Sequence, residues 1–173
     1  PDETIQHAGI VTGLGGYAGH SHKYKKKGGS GYLFRTSTVQ DFSGVTGACL
    51  LVKTAVYDEM HWLDEQFAVA FNDVDFCLRV RDAGYRIAWT PYAELIHYES
   101  KSRGGDEKDP VKAARFAAEQ QRLYTIHGKE NILDDPYYNP NLTRDREDFS
   151  ESDDLRRLKE GRVTVRFRGG TLQ

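Results

Sequence analysis

The stretch FNDVDFCLRVRDAGYRIAWTPYAELIH, residues 71–97, carries the clearest structural signals in the chain. Its first half predicts a helix, because Asn72 is a favoured N-cap and Gly84 suits the position just past a helix end. Asp73 and Asp75 would place negative charge at the positive end of that helix dipole. The segment therefore predicts a helix that begins with two carboxylates.

Strands and helices are predicted to alternate on both sides of this helix. The alternating YRIAWT predicts a strand, Pro91 ends it, and AELIHYE predicts a second short strand that carries His97 near its end. The apolar run VTGACLLVK, residues 45–53, predicts a buried strand, and IQHAGIVTGL predicts a short one. TAVYDEM predicts a short helix, and PVKAARFAAEQQRLYTIHG, from Pro110 to Gly128, a helix of about five turns. We expect an α/β fold with a mixed sheet flanked by helices.

The composition is that of one ordinary globular domain of 173 residues. A formal net charge of −2 argues against a global field that attracts nucleic acid or an anionic membrane. Cys49 and Cys77 lie in apolar segments and are predicted to be buried thiols in a reducing compartment. No apolar run approaches the roughly 20 residues of a membrane span, and the N-terminus has no signal-peptide pattern. We expect a cytoplasmic protein, and the missing initiator Met suggests a piece of a longer chain.

Two segments have no stable period and predict irregular loops. GGYAGHSHKYKKKGGSGYLFRT, residues 15–36, carries six glycines with interleaved aromatic residues and lysines, and predicts a long mobile loop. DDPYYNPNLTRDREDFSESDD, residues 134–154, is also irregular. Long irregular loops in compact domains are often functional or disordered.

The two carboxylates of the predicted helix are expected to have different tasks. Residues two apart on a helix point about 200° away from each other, so Asp73 and Asp75 would not act together. Asp75 has Arg79 four residues on, at the spacing of an intrahelical ion pair, whereas Asp73 has no such partner. Asp73 is therefore the candidate for a carboxylate that faces a cleft and acts as a general base. The alternative is that both are surface acids that complement the helix dipole.

His97 is the candidate ligand of a metal. It is predicted to stand at the carboxyl end of a strand, where open α/β sheets place ligand sites. The following YESKSRGG loop contains Lys101 and Arg103, which are suited to cover a diphosphate while the imidazole holds its metal. The alternative is a structural or solvated histidine next to an ordinary polar loop.

Residues 45–104 resemble the acceptor-side half of family 2 glycosyltransferases with a GT-A fold, especially rhamnosyltransferase-like and galactofuranosyltransferase-like members. The resemblance rests on several motifs in the right order: TGACLLV, a turn LDEQF, NDVDFCLR, the helix-to-strand junction AGYRI, and a strand that ends in histidine. It is weaker over residues 9–44 and 110–150, and absent over the last twenty or so.

The resemblance implies transfer of a sugar from a nucleoside diphosphate to an acceptor hydroxyl, usually with inversion. Asp73 matches the base that deprotonates that hydroxyl, and Asp75 matches an acid that holds the acceptor or the helix. His97 matches a histidine that joins other acids around Mn²⁺ or Mg²⁺, which neutralises charge on the leaving diphosphate. Gly47 and Trp62 fall in segments that shape the acceptor site. The DVD at 73–75 also spells the family's metal-binding D-x-D, but that motif follows a strand, so we do not assign it here.

The resemblance also implies a truncated domain. The nucleotide-binding half of the family is not found before residue 44, so residues 1–44 form a glycine-rich N-terminal segment, residues 45–150 the acceptor-side half, and residues 151–173 a C-terminal extension. We expect a dTDP- or UDP-sugar donor in the full-length protein, a saccharide or glycolipid acceptor, and no turnover by this fragment alone. Location would be cytoplasmic, including the inner face of the membrane, and the cut sheet edge is expected to drive self-association.

Two other classes of function remain as alternatives. The first is a non-catalytic module that is derived from a glycosyltransferase and binds glycan or protein. The second is binding of single-stranded nucleic acid through the lysines and tyrosines of residues 17–32. The support for this alternative is weak, because the basic residues there are few and the chain as a whole is acidic.

Overall fold

The computed structural model describes residues 3–98, 109–153, 165–167 and 170–172. Four α-helices occur in the described part of the chain: α1 (Thr54–Glu59), α2 (Asn72–Asp82), α3 (Pro110–His127) and α4 (Lys129–Leu133). The described strands are β1 (Ile10–Thr12), β2 (Ala18–His20), β3 (Gln40–Asp41), β4 (Ala88–Trp89), β5 (Val165–Phe167) and β6 (Gly170–Leu172). The architecture thus combines helices with small sheets, in line with an α/β class.

The predicted helix of the opening segment is confirmed, but its predicted N-cap is wrong. Helix α2 already includes Asn72, and the cap is Phe71 in a left-handed conformation with φ 65°. Phe71 adopts this conformation while its ring is buried against Tyr17 and Phe116, at centroid distances of 5.5 and 5.0 Å. The cap position is therefore one residue earlier than predicted, and it is occupied by a core aromatic residue that makes no side-chain hydrogen bond to the helix.

The C-terminal end of α2 lies just before Gly84, as the sequence predicts. Gly84 lies just past the helix with φ 88°, and its amide donates to the Arg81 carbonyl over 2.9 Å. The Tyr85 amide donates to the Val80 carbonyl over 3.2 Å, which completes a Schellman motif.

Helix α3 is also confirmed. Asp109 caps it by accepting the Val111 amide over 2.9 Å, and Pro110 occupies the first turn, where no amide donor is needed. Gly128 ends the helix with φ 77°. Local capping signals thus set both ends of this helix.

The predicted mixed sheet does not form in the described part of the chain. The strands there make three separate antiparallel pairs, β1 with β2, β3 with β4, and β5 with β6. Residues 45–53 do not form a buried strand, because Thr46 caps a short 3₁₀ turn, Gly47–Cys49, and Leu51 is 98% exposed. Cys49 is exposed rather than buried, whereas Cys77 is buried as predicted.

The second predicted strand around His97 is also wrong. Residues 93–98 have no regular structure, and Leu95 and Ile96 are 68% and 66% exposed. Both segments have strand-forming composition, but a strand needs a partner, and no partner is present among the described residues.

Helix α2 is the centre of the core, since six of its eleven residues are buried. Val74 and Leu78 pack into a cluster with residues of β1, α3 and α4. Phe76, Cys77 and Val80 pack into a second cluster on the side of Val45. A third cluster unites Val11, Leu14, Phe42, Tyr138, Leu142 and Phe149. The segment 134–153, irregular as predicted, is therefore packed against the core.

No helix in the described part of the chain is both long enough and apolar enough to span a membrane.

We predict that Gly84→Ala destabilises the protein without changing its fold. Nothing lies within 4 Å of the position of an added Cβ, so the cost comes from the left-handed φ of 88° alone. Such a conformation costs an L-residue about 1–2 kcal/mol, which urea unfolding would measure. Gly29→Ala is the matched control, since Gly29 has an ordinary φ and only the Lys26 carbonyl at 3.9 Å. Equal stability of the two variants would contradict this account of the helix end.

Candidate functional site

Two predicted site residues, Asp73 and Gly47, meet at the start of α2. The Gly47 amide donates to Oδ2 of Asp73 over 2.8 Å, and the Val74 amide donates to Oδ1 over 2.9 Å. Asp73 is half-buried and Gly47 exposed, so the carboxylate stands at the surface with its orientation set by two backbone amides. A carboxylate held in this way keeps lone pairs free to accept a proton from a bound molecule.

His7, which was not predicted as a site residue, makes hydrogen bonds to the backbone next to the Gly47 turn. Nε2 of His7 accepts the Thr46 amide over 3.3 Å and the Gly9 amide over 3.2 Å. Burial of the ring, with a smaller effect of nearby His20, lowers the pKa of His7 from 6.5 to about 3. His7 is thus a neutral acceptor that fixes the residue before Gly47.

Asp75 is separated from Asp73 by its partners. Its side chain is only 1% exposed, and Nη2 and Nε of Arg79 donate to its Oδ2 over 2.7 and 3.0 Å. The predicted pair four residues apart is therefore confirmed. Oδ1 lies 2.8 Å from Nε2 of His127, the last residue of α3, whose side chain is 3% exposed.

The charge of Asp75 is stabilised by these two partners. Burial on its own would raise the pKa of the Asp75 carboxyl, but hydrogen bonds from His127 and Arg79 outweigh burial and lower it. Both oxygens are occupied, so of the two roles that the resemblance left open, the geometry favours holding the helix. Sequence reasoning missed His127, because its only local signal is a position in the last turn of a helix.

Trp62 is hydrogen-bonded to Arg79, the partner of Asp75. Trp62 is 59% exposed, and its Nε1 donates to Oδ1 of Asp58 over 3.0 Å. Its carbonyl accepts Nη2 of Arg79 over 2.9 Å, while Nη1 of Arg79 donates to the Met60 carbonyl. The structure therefore connects Trp62 to α2 through Arg79, six residues after the candidate base along the helix.

Among the described residues, no contact connects His97 to Asp73, Asp75 or Trp62. His97 is exposed in the irregular segment after β4, and Lys101 and Arg103 lie outside the described residues. The described part of the chain contains no group of three or more His, Cys, Asp or Glu side chains that could hold a metal. A single exposed imidazole is not a complete donor set for Mn²⁺ or Mg²⁺, which prefer several oxygen ligands.

Several curated proteins are similar to this chain. An uncharacterised protein of Sinorhizobium fredii is 48% identical over 150 residues, which cover 86% of this chain and 16% of that protein. The O-antigen biosynthesis protein RfbC of Myxococcus xanthus is 34% identical over 83% of this chain and 11% of its own length. The N-acetylglucosaminyl-diphospho-decaprenol L-rhamnosyltransferase of Mycobacterium tuberculosis is 31% identical over 46% of this chain and 24% of its own length.

The chain thus spans between about a tenth and a quarter of the length of these relatives. Those with informative names are connected with glycan biosynthesis, and one is named as a sugar transferase, which supports the resemblance to glycosyltransferases. No family model and no solved structure matches the chain.

We predict that His7 makes the protein less stable in acid. Its pKa is lowered in the folded state, so the unfolded chain binds the extra proton, and stability falls as the pH decreases from 6.5 to about 3. Each such proton contributes up to about 1.4 kcal/mol per pH unit to the free energy of unfolding. In His7→Gln, which retains an acceptor, the slope of this free energy against pH should be shallower.

Urea unfolding at a series of pH values would measure that slope. His22, whose pKa is lowered to about 4, chiefly by burial and then by Arg35 and Lys25, contributes in the same direction in wild type and variant alike. Gln121→Ala, at an exposed position whose side chain does not titrate, is the control and should leave the slope unchanged. A His7→Gln slope equal to that of wild type would show that His7 is not held neutral.

Proposed function

We propose that this chain is the acceptor-side part of an inverting family 2 glycosyltransferase with a GT-A fold, in which Asp73 is the general base. The observation that carries the proposal is the contact between Asp73 and Gly47, with 2.8 Å between carboxylate and amide, at the exposed start of α2. Both residues were assigned to the site from their motifs, which lie 26 residues apart. The similarity to proteins named for glycan biosynthesis supports the same assignment.

In this proposal Asp73 accepts the proton of the acceptor hydroxyl. The oxygen then bonds to the anomeric carbon of the donor from the side opposite the nucleoside diphosphate, which leaves with the electron pair of the broken C–O bond. The configuration at that carbon is inverted. The two amides that hold Asp73 restrict its orientation, and a positioned base of this kind contributes about 10²–10⁴-fold to the rate.

The remaining roles follow the same scheme. Trp62 and Gly47 contact the acceptor, and Lys101 and Arg103 cover the diphosphate of the donor. His97 would contribute one ligand to Mn²⁺ or Mg²⁺, and further oxygen ligands would be needed to complete the site. When bound, the metal neutralises charge on the leaving diphosphate.

The donor site belongs, in this proposal, to a longer polypeptide. Residues 1–44 are the glycine-rich N-terminal segment of the truncated domain, residues 45–150 are its acceptor-side half, and residues 151–173 are a C-terminal extension. The donor is a dTDP- or UDP-sugar, and the acceptor is a saccharide or glycolipid of cell-surface polysaccharide synthesis at the inner face of the membrane. The chain on its own would not catalyse sugar transfer.

We predict that Asp73→Asn abolishes most sugar transfer. The test uses the longer polypeptide with a panel of dTDP- and UDP-sugars, a saccharide acceptor mixture, and either Mn²⁺ or EDTA, and it measures nucleotide release. The variant should lower kcat about 10²–10⁴-fold, since it cannot accept the proton. Asp82→Asn, at the other end of α2 and exposed, should retain wild-type kcat.

Turnover in Asp73→Asn at the wild-type rate would exclude Asp73 as the base. A folded longer polypeptide that binds saccharide but releases no nucleotide from any donor would favour the alternative, a non-catalytic glycan-binding module.

The exposed apolar side chains of Leu51, Tyr92 and Leu95 support the truncation. These residues are 98%, 84% and 68% exposed, and the structure places them outside the strands of the described part of the chain. Exposed apolar chain of this kind is suited to pairing with another strand. In the longer polypeptide we propose that strands of the donor-binding half cover these residues.

We predict that the isolated chain self-associates through this surface. Sedimentation equilibrium should show a mass that rises with concentration, because two copies bury each other's exposed segments. The double variant Leu51→Lys/Ile96→Glu should remain monomeric. Val111→Glu, at another exposed apolar position on α3, should associate like wild type. A monomeric wild-type chain at high concentration would exclude this association.

A further inference from the structure

The turn after α1 holds two consecutive non-glycine residues in the left-handed conformation. His61 has φ 53° and Trp62 has φ 67°. This conformation is unfavourable for a non-glycine residue and persists only where the surrounding structure holds it. The unusual backbone therefore requires specific contacts, and it determines where the Trp62 side chain projects.

Helix α1 supplies the first set of these contacts. The His61 amide donates to the Asp58 carbonyl over 3.0 Å, and the Trp62 amide donates to the Tyr57 carbonyl over 3.1 Å. The Trp62 indole donates to the Asp58 carboxylate over 3.0 Å. These bonds are local, so they fix the turn relative to α1 but not relative to the candidate base on α2.

Arg79 supplies the contact between the turn and α2. Its guanidinium donates to the Met60 and Trp62 carbonyls, and thus spans the strained residues from both sides. A planar guanidinium reaches two acceptors at fixed angles, which a lysine ammonium does not do. Trp62 is therefore held at a set position relative to α2, and so relative to Asp73.

The guanidinium itself is held by buried charge. Asp75, 1% exposed, accepts two of its N–H groups through Oδ2, and His127 contacts the other oxygen of Asp75 over 2.8 Å. A buried carboxylate with every oxygen occupied is rigid, because any displacement would leave a charge unpaired. His127 belongs to α3, so three helices contribute to the position of one turn.

We propose that Asp75, Arg79 and His127 are positioning residues that set Trp62 as an aromatic surface for the acceptor, at a fixed place relative to the base. The inference rests on the proposed function for its substrate, the apolar face of a sugar ring in the acceptor. Aromatic side chains commonly line such pockets, with a few polar groups that fix orientation. Trp62 is 59% exposed, so part of this residue is accessible to a ligand.

A first experiment tests the positioning without any need for activity. The chain has two tryptophans, Trp62 and Trp89, so ¹⁵N NMR shows two indole N–H signals, which Trp62→Phe assigns. Arg79→Lys keeps a cation beside Asp75 but loses the fork to the two carbonyls. We expect the Trp62 signal to shift and broaden while the Trp89 signal stays in place.

Arg81→Lys is the matched control on the same helix, since Arg81 contacts Ser43, Asp82 and Asn131 instead of the turn. It should leave both indole signals unchanged. A Trp62 signal that is equally unchanged in Arg79→Lys would overturn the positioning role and leave the proposed function untouched.

A second experiment links the position of Trp62 to the acceptor. In the longer polypeptide, Arg79→Lys should raise KM for the acceptor about tenfold, with KM for the donor unchanged. The effect should disappear when Trp62 is already alanine, so the double variant Trp62→Ala/Arg79→Lys should match Trp62→Ala. A purely structural role predicts equal effects of Arg79→Lys in both backgrounds, and that result would overturn the proposal.

The two proposals fail in different ways. Loss of the proposed function would appear as absence of sugar transfer in the wild-type longer polypeptide, whatever the NMR result. Loss of the positioning role would appear as additive effects of the two substitutions in an enzyme that transfers sugar normally.

Discussion

The buried carboxylate of Asp75 is the constraint on which the centre of this structure depends. Removing a charge from water is costly unless every hydrogen-bonding position is satisfied, and here Arg79 and His127 satisfy them from two different helices. Because the charge is stabilised only when all three groups meet, α2, α3 and the turn at Trp62 are held in one arrangement. The half-buried Asp73, two residues earlier on α2, is positioned by the same helix.

Helix α3 holds the chain that leads into this site by polar contacts along its length. Glu119 accepts the amides of Val69 and Ala70 over 3.3 and 2.7 Å, and Arg122 pairs with Asp64 over 2.6 Å. Residues 63–71 lack regular structure of their own, so Glu119 satisfies two backbone amides that a helix or sheet would otherwise satisfy, and Arg122 adds a contact between side chains. Helix α3, which has strong capping signals in its sequence, thereby orders residues 63–71, which have few signals for regular structure.

The candidate site was predictable in part. Asp73 and Gly47 were both assigned from their motifs, and the pairing of Asp75 with Arg79 follows from a spacing of four residues on a helix. His7 and His127 were not predictable, because each acts through a partner that is distant in sequence. His127 and Asp75 are 52 residues apart, and no local pattern indicates which buried histidine meets which carboxylate.

The sequence by itself determined helices α2 and α3, together with the C-terminal end of α2 and both ends of α3. The reason is that Gly84, Asp109, Pro110 and Gly128 act on backbone groups within a few residues. It also determined the ion pair within α2. Only the tertiary structure decided the state of the apolar segments 45–53 and 93–98, which have strand composition but no strand partner among the described residues. It likewise decided that Asp75 is fully buried whereas Asp73 is only half-buried. Strand pairing and burial depend on contacts between distant parts of the chain, and these form only when the whole core is assembled.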